Sequence, residues 1–267
     1  MTLSVEDYPK MRRQGWTRDE LLLAFNLYCR TPFGRLHRNN RDIIELASVL
    51  GRTPSAVAMK LVNFASLDPV HQRRKVRGLR NASRSDHEIL QEFLSNWEQL
   101  AFESEQALGR IASTSPRILN GRLEPDIPSG PTDEERVVRV RIVQRFFRDV
   151  VLASYENRRA ICTIAVPELL NASHIIPWSN NMARRADPTN GLALCSLHDR
   201  AFDRGLLTID ADFRVVIASS LKIDEPPTVH RVALSAIEGK AIELPRRFYP
   251  DPEALRFHRE NVFHNRL

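Results

Sequence analysis

Apolar positions recur every three or four residues through the first hundred residues, in runs that open on capping signals. Trp16-Thr17-Arg18-Asp19-Glu20 predicts a helix start, with Thr17 as cap and Glu20 completing a capping box. Leu21, Phe25 and Tyr28 fall on one face of that helix, and Thr31-Pro32-Phe33-Gly34 ends it. A second helix is predicted from about Asn40 to Leu50, with Ile43, Ile44, Ala47 and Leu50 inward and Gly51 closing it. Thr53-Pro54 starts a third, because proline suits the first helical position. It runs to about Ala65, with Val57, Leu61 and Phe64 inward and Ser55, Met59, Lys60 and Asn63 outward. From Ser85 to about Leu108 the spacing predicts one further helix, apolar along Ile89, Leu90, Phe93, Leu94, Trp97 and Leu100.

The pattern then breaks. Residues 109–131 hold Gly109, Pro116, Gly121, Pro125, Pro128, Gly130 and Pro131, the composition of a linker. The expected organisation is a helical domain over 1–108, a linker over 109–131 and a second domain over 132–267. Thr132-Asp133-Glu134-Glu135 opens a long helix to about Tyr155. Val137, Val140, Gln144, Phe147 and Val151 line one side of it, and Arg136, Arg139, Arg141, Arg145 and Arg148 ring the rest.

Beyond that helix the periodicity changes from helical to strand-like. Residues 158–166 read as a strand or tight hairpin leading into Asn171–Ile176, a strand that Pro177 stops. Asp187-Pro188-Thr189-Asn190-Gly191 is turn chemistry, with Asn-Gly predicting a tight reversal. A short strand at Leu192–Leu194 follows, then a helix capped by Ser196 that carries His198 and ends near Gly205. Residues 206–217 read as a hairpin around Asp210-Ala211-Asp212, and Pro252 to Phe263 as a short tail helix whose His258 and the following His264 lie at the surface. The fold class is therefore α+β: an all-α N-terminal part joined to a strand–strand–helix unit.

Composition narrows the setting. Apolar residues make up 42% and charged residues 27%, ordinary for a globular chain, and no apolar run reaches membrane length. The start has no basic stretch followed by an apolar one, so no secretory signal is expected. The net charge of +6 suits a polyanionic partner, and arginine suits phosphate by its bidentate fork. The three cysteines, Cys29, Cys162 and Cys195, are too few for a disulfide framework or a four-cysteine zinc site, and point to a reducing compartment.

The chemistry concentrates in the strand–strand–helix unit. His174 ends the first strand and His198 is expected to face it from the helix, a pair suited to metal-assisted hydrolysis in which one imidazole binds the cation and the other takes a proton from water. Ala172-Ser173-His174-Ile175, Asn190-Gly191-Leu192 and Leu197-His198-Asp199-Arg200-Ala201-Phe202-Asp203-Arg204-Gly205 together resemble the prokaryotic branch of the HNH endonuclease family, from about Arg139 to Asp210. The resemblance implies a ββα-metal nuclease fold and hydrolysis of DNA phosphodiesters. It implies His174 as general base, Asn190 as the residue that fixes the loop and aims that base, and His198 as a metal ligand. Where many relatives carry an aspartate ligand before the base, this chain has Ser173; Asp203 or Asp199 can supply the missing oxygen, with Asp203 favoured because Asp199, at i+1 from His198, points off to the side. The cation expected is divalent: Mg²⁺ first, with Mn²⁺, Ni²⁺ or Zn²⁺ as alternatives.

The three N-terminal helices, with Gly51-Arg52-Thr53 before the third, resemble a helix-turn-helix or Myb-like unit whose third helix enters the DNA major groove. That reading makes Ser55, Lys60 and Asn63 contact residues. Arg73, Arg74, Lys75 and Arg77, in a run with five Arg/Lys from Arg73 to Arg80, form a phosphate-binding arm, and Arg148 adds a cation beside the nuclease unit. The expected function is a DNA endonuclease of restriction or anti-phage defence in a prokaryotic cytoplasm, a homodimer if one site per chain cuts both strands. The alternative is a DNA-binding regulator whose nuclease unit has decayed, and a third reading is a nuclease that prefers RNA or branched DNA.

Overall fold

A computed structural model describes residues 15–68, 70, 82–114, 132–162 and 166–264. Helices α1 (Arg18–Arg30), α2 (Arg41–Val49), α3 (Pro54–Leu67), α4 (Arg84–Ser95) and α5 (Trp97–Thr114) pack around α1 and bury Phe25, Phe64, Phe93 and Trp97 as an aromatic centre. The Phe25 ring meets Phe93 tilted at 4.4 Å and Phe64 edge-on at 4.9 Å, inclined contacts of the kind that aromatic quadrupoles favour over a face-to-face sandwich. The expected capping devices form: Thr17 and Glu20 close a capping box on α1, and Thr53 caps α3 ahead of Pro54. Gly51 has φ +61, the left-handed conformation that ends α2.

Several local expectations change. The stretch expected as one helix over 85–108 is two, broken at Asn96, whose φ of −155 and ψ of 74 leave the helical region. Ile44 is exposed and Leu46 takes its place in the core. Lys60 and Asn63 are buried rather than outward. The Lys60 ammonium lies 2.7 Å from the carboxylate of Asp86, which is fully buried on α4. Ser55 and Met59 remain on the open side of α3. Since Lys60 is the sole cation between Pro54 and Leu67, α3 turns no positive charge outward, which argues against its lying along phosphates. Arg73, Arg74, Lys75 and Arg77 lie outside the described residues, as do 115–131 of the linker; residues 109–114 continue α5.

Helix α6 (Thr132–Ser154) serves both halves of the structure. Val143, Phe146 and Val150 join the helical core, while Phe147 and Val151 join the core of the strand–helix unit. Its buried surface is thus wider than the single stripe expected, and Val137 is exposed. Strands β1 (Leu170–His174) and β2 (Gly191–Cys195) pair antiparallel, with His174 opposite Gly191, and lead into α7 (Ser196–Asp203). Cys195, not Ser196, is the N-cap of α7. Gly205, at φ +65, ends that helix, and a Cβ there would meet the Val262 carbonyl oxygen at 2.1 Å. Strands β3 (Leu207–Ile209) and β4 (Val215–Ile217) form the expected hairpin. Helices α8 (Thr228–Ala233) and α9 (Pro252–Asn261) complete the C-terminal part; α8 has no counterpart in the sequence reading. The described part of 158–166 forms no strand, and Ala160 alone reaches the sheet, donating to Ala193 O at 2.8 Å.

Two tail residues are internal. Arg247 is buried and its guanidinium donates to the carbonyls of Tyr28, Cys29 and Thr31 at 2.6, 2.8 and 2.6 Å, satisfying the end of α1 from the far end of the chain. His258, expected at the surface, stacks on Phe202 at 3.7 Å, with Nδ1 accepting from Thr208 and Nε2 donating to Phe202 O. Burial pushes its pKa down to about 4, which keeps it neutral. His264 is exposed.

Gly191 does not make the tight turn that Asn-Gly suggests. Its φ is −130, and an added Cβ would meet Val151 Cγ2 at 2.4 Å and Phe147 Cζ at 3.0 Å. Glycine is required there because α6 presses on the strand. Gly191→Ala is therefore expected to cost about 1–3 kcal/mol by overpacking, seen as a lower denaturant midpoint, and to displace the Phe147 ring.

Candidate active site

An open cleft of about 720 Å³ lies where α6, the end of β1, the following loop and α7 converge. His174 enters from β1, Asp199, Arg200 and Asp203 from α7, Arg204 from its C-cap, and Gln144 and Arg148 from α6. Its volume and its convergent polar groups are those of a ligand site. A separate cavity of about 450 Å³ among α1, α2, α5 and α6 contains none of these residues, and its Arg30 is already paired with Asp149 and Glu105.

The His174 ring is held from three sides. It stacks on Phe147 at 3.8 Å with an 11° tilt and meets Trp178 edge-on at 5.5 Å. Its Nε2 lies 2.9 Å from the carbonyl oxygen of Arg185. A carbonyl only accepts, so Nε2 carries the proton and donates, leaving Nδ1 with the lone pair. Burial lowers the pKa of His174; the Arg185 carbonyl and the nearby Asp199 carboxylate oppose this and the Arg185 cation adds to it. At neutral pH this imidazole is a neutral base of fixed tautomer.

The loop that supplies the Arg185 carbonyl is pinned by Asn190, which is buried. Asn190 Oδ1 accepts from Ile176 N at 2.8 Å, and Nδ2 donates to the carbonyls of Ile176 and Arg184, each at 3.2 Å. The amide thus ties both ends of the 175–190 loop to each other next to the residue that holds His174. The neighbouring Arg184–Asp187 and Arg184–Asp251 pairs add to this.

Asp199 and Asp203 stand one turn apart on α7, both on the cleft. Burial and the neighbouring Asp199 raise the pKa of Asp203, opposed by Arg200 and Arg204. Asn171 Nδ2 donates to Asp199 Oδ2 at 2.8 Å. Ser173, two residues on along β1, has a buried Oγ without a hydrogen-bond partner among the described residues. Two carboxylates that repel each other on one wall of the cleft offer the oxygen ligands that suit a hard divalent cation.

His198 is not part of this cleft, contrary to the expectation that it faces His174 across a shared cation. It is buried, with Nδ1 3.2 Å from Cys195 Sγ and Nε2 2.7 Å from the Ala233 carbonyl oxygen. Both ring nitrogens are engaged away from the cleft, because His198 sits at the start of α7 beneath the sheet whereas Asp199 and Asp203 follow the other face. Asp203, favoured from the sequence as the oxygen ligand, and its alternative Asp199 both line the cleft, whereas His198, expected beside them, does not. The further grouping of Cys162, Cys195 and His198, within 4.8 Å of one another, was signalled only by the Cys195-x-x-His198 spacing.

This geometry coincides with a family comparison. Residues 159–210 match a family model described as HNH endonuclease. That span contains β1, the Asn190 loop, β2 and α7, and so His174, Asn190, Asp199 and Asp203. The match supports a nuclease domain of the HNH family in this part of the chain. No curated protein matches the chain. Among the described residues, no helix is long and apolar enough to cross a membrane.

Proposed function

We propose that the chain is a divalent-metal-dependent DNA endonuclease, with His174 as general base and Asp199 and Asp203 as the carboxylates that hold the cation. The observation that carries this is the fixed tautomer of His174 in the same cleft as the acid pair. The Nε2–H bond to Arg185 O leaves Nδ1 to take a proton from water. The water oxygen attacks phosphorus in line, and the bond from phosphorus to the departing 3′ oxygen breaks. A divalent cation held by Asp199 and Asp203 would supply Lewis-acid polarisation of the phosphate and charge neutralisation at the departing oxygen. Ser173 Oγ, buried and without a hydrogen-bond partner among the described residues, would be the third oxygen offered to that cation. Arg148, Arg200 and Arg204, exposed around the cleft, neutralise flanking phosphates. Asn190 is a positioning residue that acts through the loop.

Restriction or defence against foreign DNA is the role proposed for this activity, with the basic run Arg73–Arg80 as a phosphate-binding arm. The test is plasmid cleavage with Mg²⁺, Mn²⁺ or Ni²⁺ by wild type and by Asp203→Asn. Cleavage in wild type that drops by about 10²-fold or more in the variant supports the assignment. Binding without cutting under every metal supports instead a regulator with an inactive nuclease unit. Sequencing of cut ends from a randomised and base-modified library then reads specificity.

A further inference from the structure

We propose that Arg184 and Asp251 are positioning residues for His174, and that the tail segment 246–251 is a strap through which the helical part sets the aim of that base. The role rests on the nuclease reading of the cleft, and Asp251 lies beyond the matched span 159–210. The Arg185 carbonyl fixes the tautomer of His174, so whatever holds that carbonyl holds the base. Its neighbour Arg184 is where the loop is tied down. The Arg184 guanidinium donates from Nη1 to Asp251 Oδ2 at 2.5 Å, from Nη2 to Thr189 Oγ1 at 3.0 Å and from Nε to Asp187 Oδ2 at 3.2 Å, so all three nitrogens are committed. The Asp251 backbone N–H donates to Thr189 O at 2.9 Å, a second tie between tail and loop.

The tail can transmit position because it is stiff and because its other end is anchored. Pro250 and Pro252 bracket Asp251, and each proline fixes its own φ and keeps the residue before it extended. Asp251 accordingly has φ −69 and ψ 123. Upstream, the buried Arg247 guanidinium donates to the carbonyls of Tyr28, Cys29 and Thr31 and lies 4.7 Å over the Tyr28 ring. Phe248 meets Trp97 edge-on at 5.4 Å. Its φ of +51 is a left-handed conformation that a bulky residue keeps only where packing over-determines it. Arg246 N donates to Ser154 O at 2.8 Å, at the end of α6. One short segment therefore grips the ends of α1 and α6 and the start of α5 on one side, and the catalytic loop on the other. A shift of α1 against the nuclease unit passes through Arg247 to Asp251 and Arg184, and so to the Arg185 carbonyl. The reacting groups tolerate little of this, since a displacement of about 1 Å can cost about 10²-fold in rate.

The test uses a substitution that spares the fold. Asp251 Oδ1 also caps α9 by accepting from Glu253 N at 3.0 Å. Asp251→Asn keeps that oxygen and so the cap, and turns an amide nitrogen towards the Arg184 guanidinium, donor against donor. In the full chain this variant should cut plasmid about 10- to 100-fold more slowly at saturating DNA. Its KM and melting temperature should stay near wild type, the mark of a defect in the chemical step. Added to His174→Ala it should cost nothing further, because it acts through that base. Amide exchange across 179–190 should rise in Asp251→Asn. It should rise also in Arg247→Lys, which keeps a cation but loses the planar fork that reaches three carbonyls. Cleavage by Asp251→Asn at the wild-type rate overturns the proposal, as does a further loss in the His174→Ala background, or loop exchange that stays at wild type in either tail variant. Wild type that cuts no DNA under Mg²⁺, Mn²⁺ or Ni²⁺ removes the nuclease reading and this role with it. Wild type that cuts, but no faster than Asp251→Asn, removes this role alone.

Discussion

His174→Ala is expected to lower the rate of plasmid cleavage by about 10²–10⁴-fold, the usual contribution of a positioned general base, while DNA binding stays near wild type. The ring contributes the Nδ1 lone pair and little that the cleft needs for shape. Its stack on Phe147 and its bond to Arg185 O orient it without making it part of the deep core. The pH profile carries the same prediction. Only the neutral imidazole accepts a proton, and burial holds the pKa of His174 below its ordinary value of 6.5. The acid limb of the cleavage rate should therefore fall below pH 6.5, with full activity kept at neutrality. A variant that cuts within tenfold of wild type, or an acid limb above pH 6.5 in wild type, would remove His174 from the mechanism.

Lys60→Met should unfold the helical part far more than it affects phosphate binding. Lys60 and Asp86 are an internal ion pair at 2.7 Å, with side chains 8% and 0% exposed. Removing one partner strands the other charge in a low-dielectric site, at a cost of about 3–5 kcal/mol. For a chain of this size that is roughly 10 °C in melting temperature, at about 2–4 °C per kcal/mol. Lys60→Met with Asp86→Leu should recover part of the loss, and not all of it, because Asp86 also accepts from Ser83 N at 2.9 Å to cap α4. Melting followed by circular dichroism measures both. If Lys60→Met melts with wild type but binds DNA weakly, Lys60 belongs to the DNA surface after all.

How much could be read in advance differs by element. The Thr17–Glu20 capping box, the Thr53-Pro54 start, the hairpin around Asp210 and the strand–strand–helix order all follow from residues close in the chain, and the structure contains them. The break at Asn96 leaves no mark in the pattern, because its neighbours keep a helical spacing on both sides. Which histidine meets which partner was also out of reach. His174 and His198 stand on adjacent elements, and facing directions across a sheet depend on twist and register, not on spacing alone. His258 looked like a surface residue in a charged tail helix until Phe202 and Thr208, about fifty positions away, enclosed it.

The local sequence by itself determined where helices and strands begin, and it located the nuclease motif within the chain, because capping, turn chemistry and alternation act over a few residues. Only the tertiary structure decided that Asp199 lines the cleft while its neighbour His198 turns to Cys195, that Lys60 pairs inward with Asp86, and that Arg247 closes α1. Each of those is a polar or charged group whose burial is tolerable only with a particular partner, and the partner comes from a distant segment that packing alone brings near.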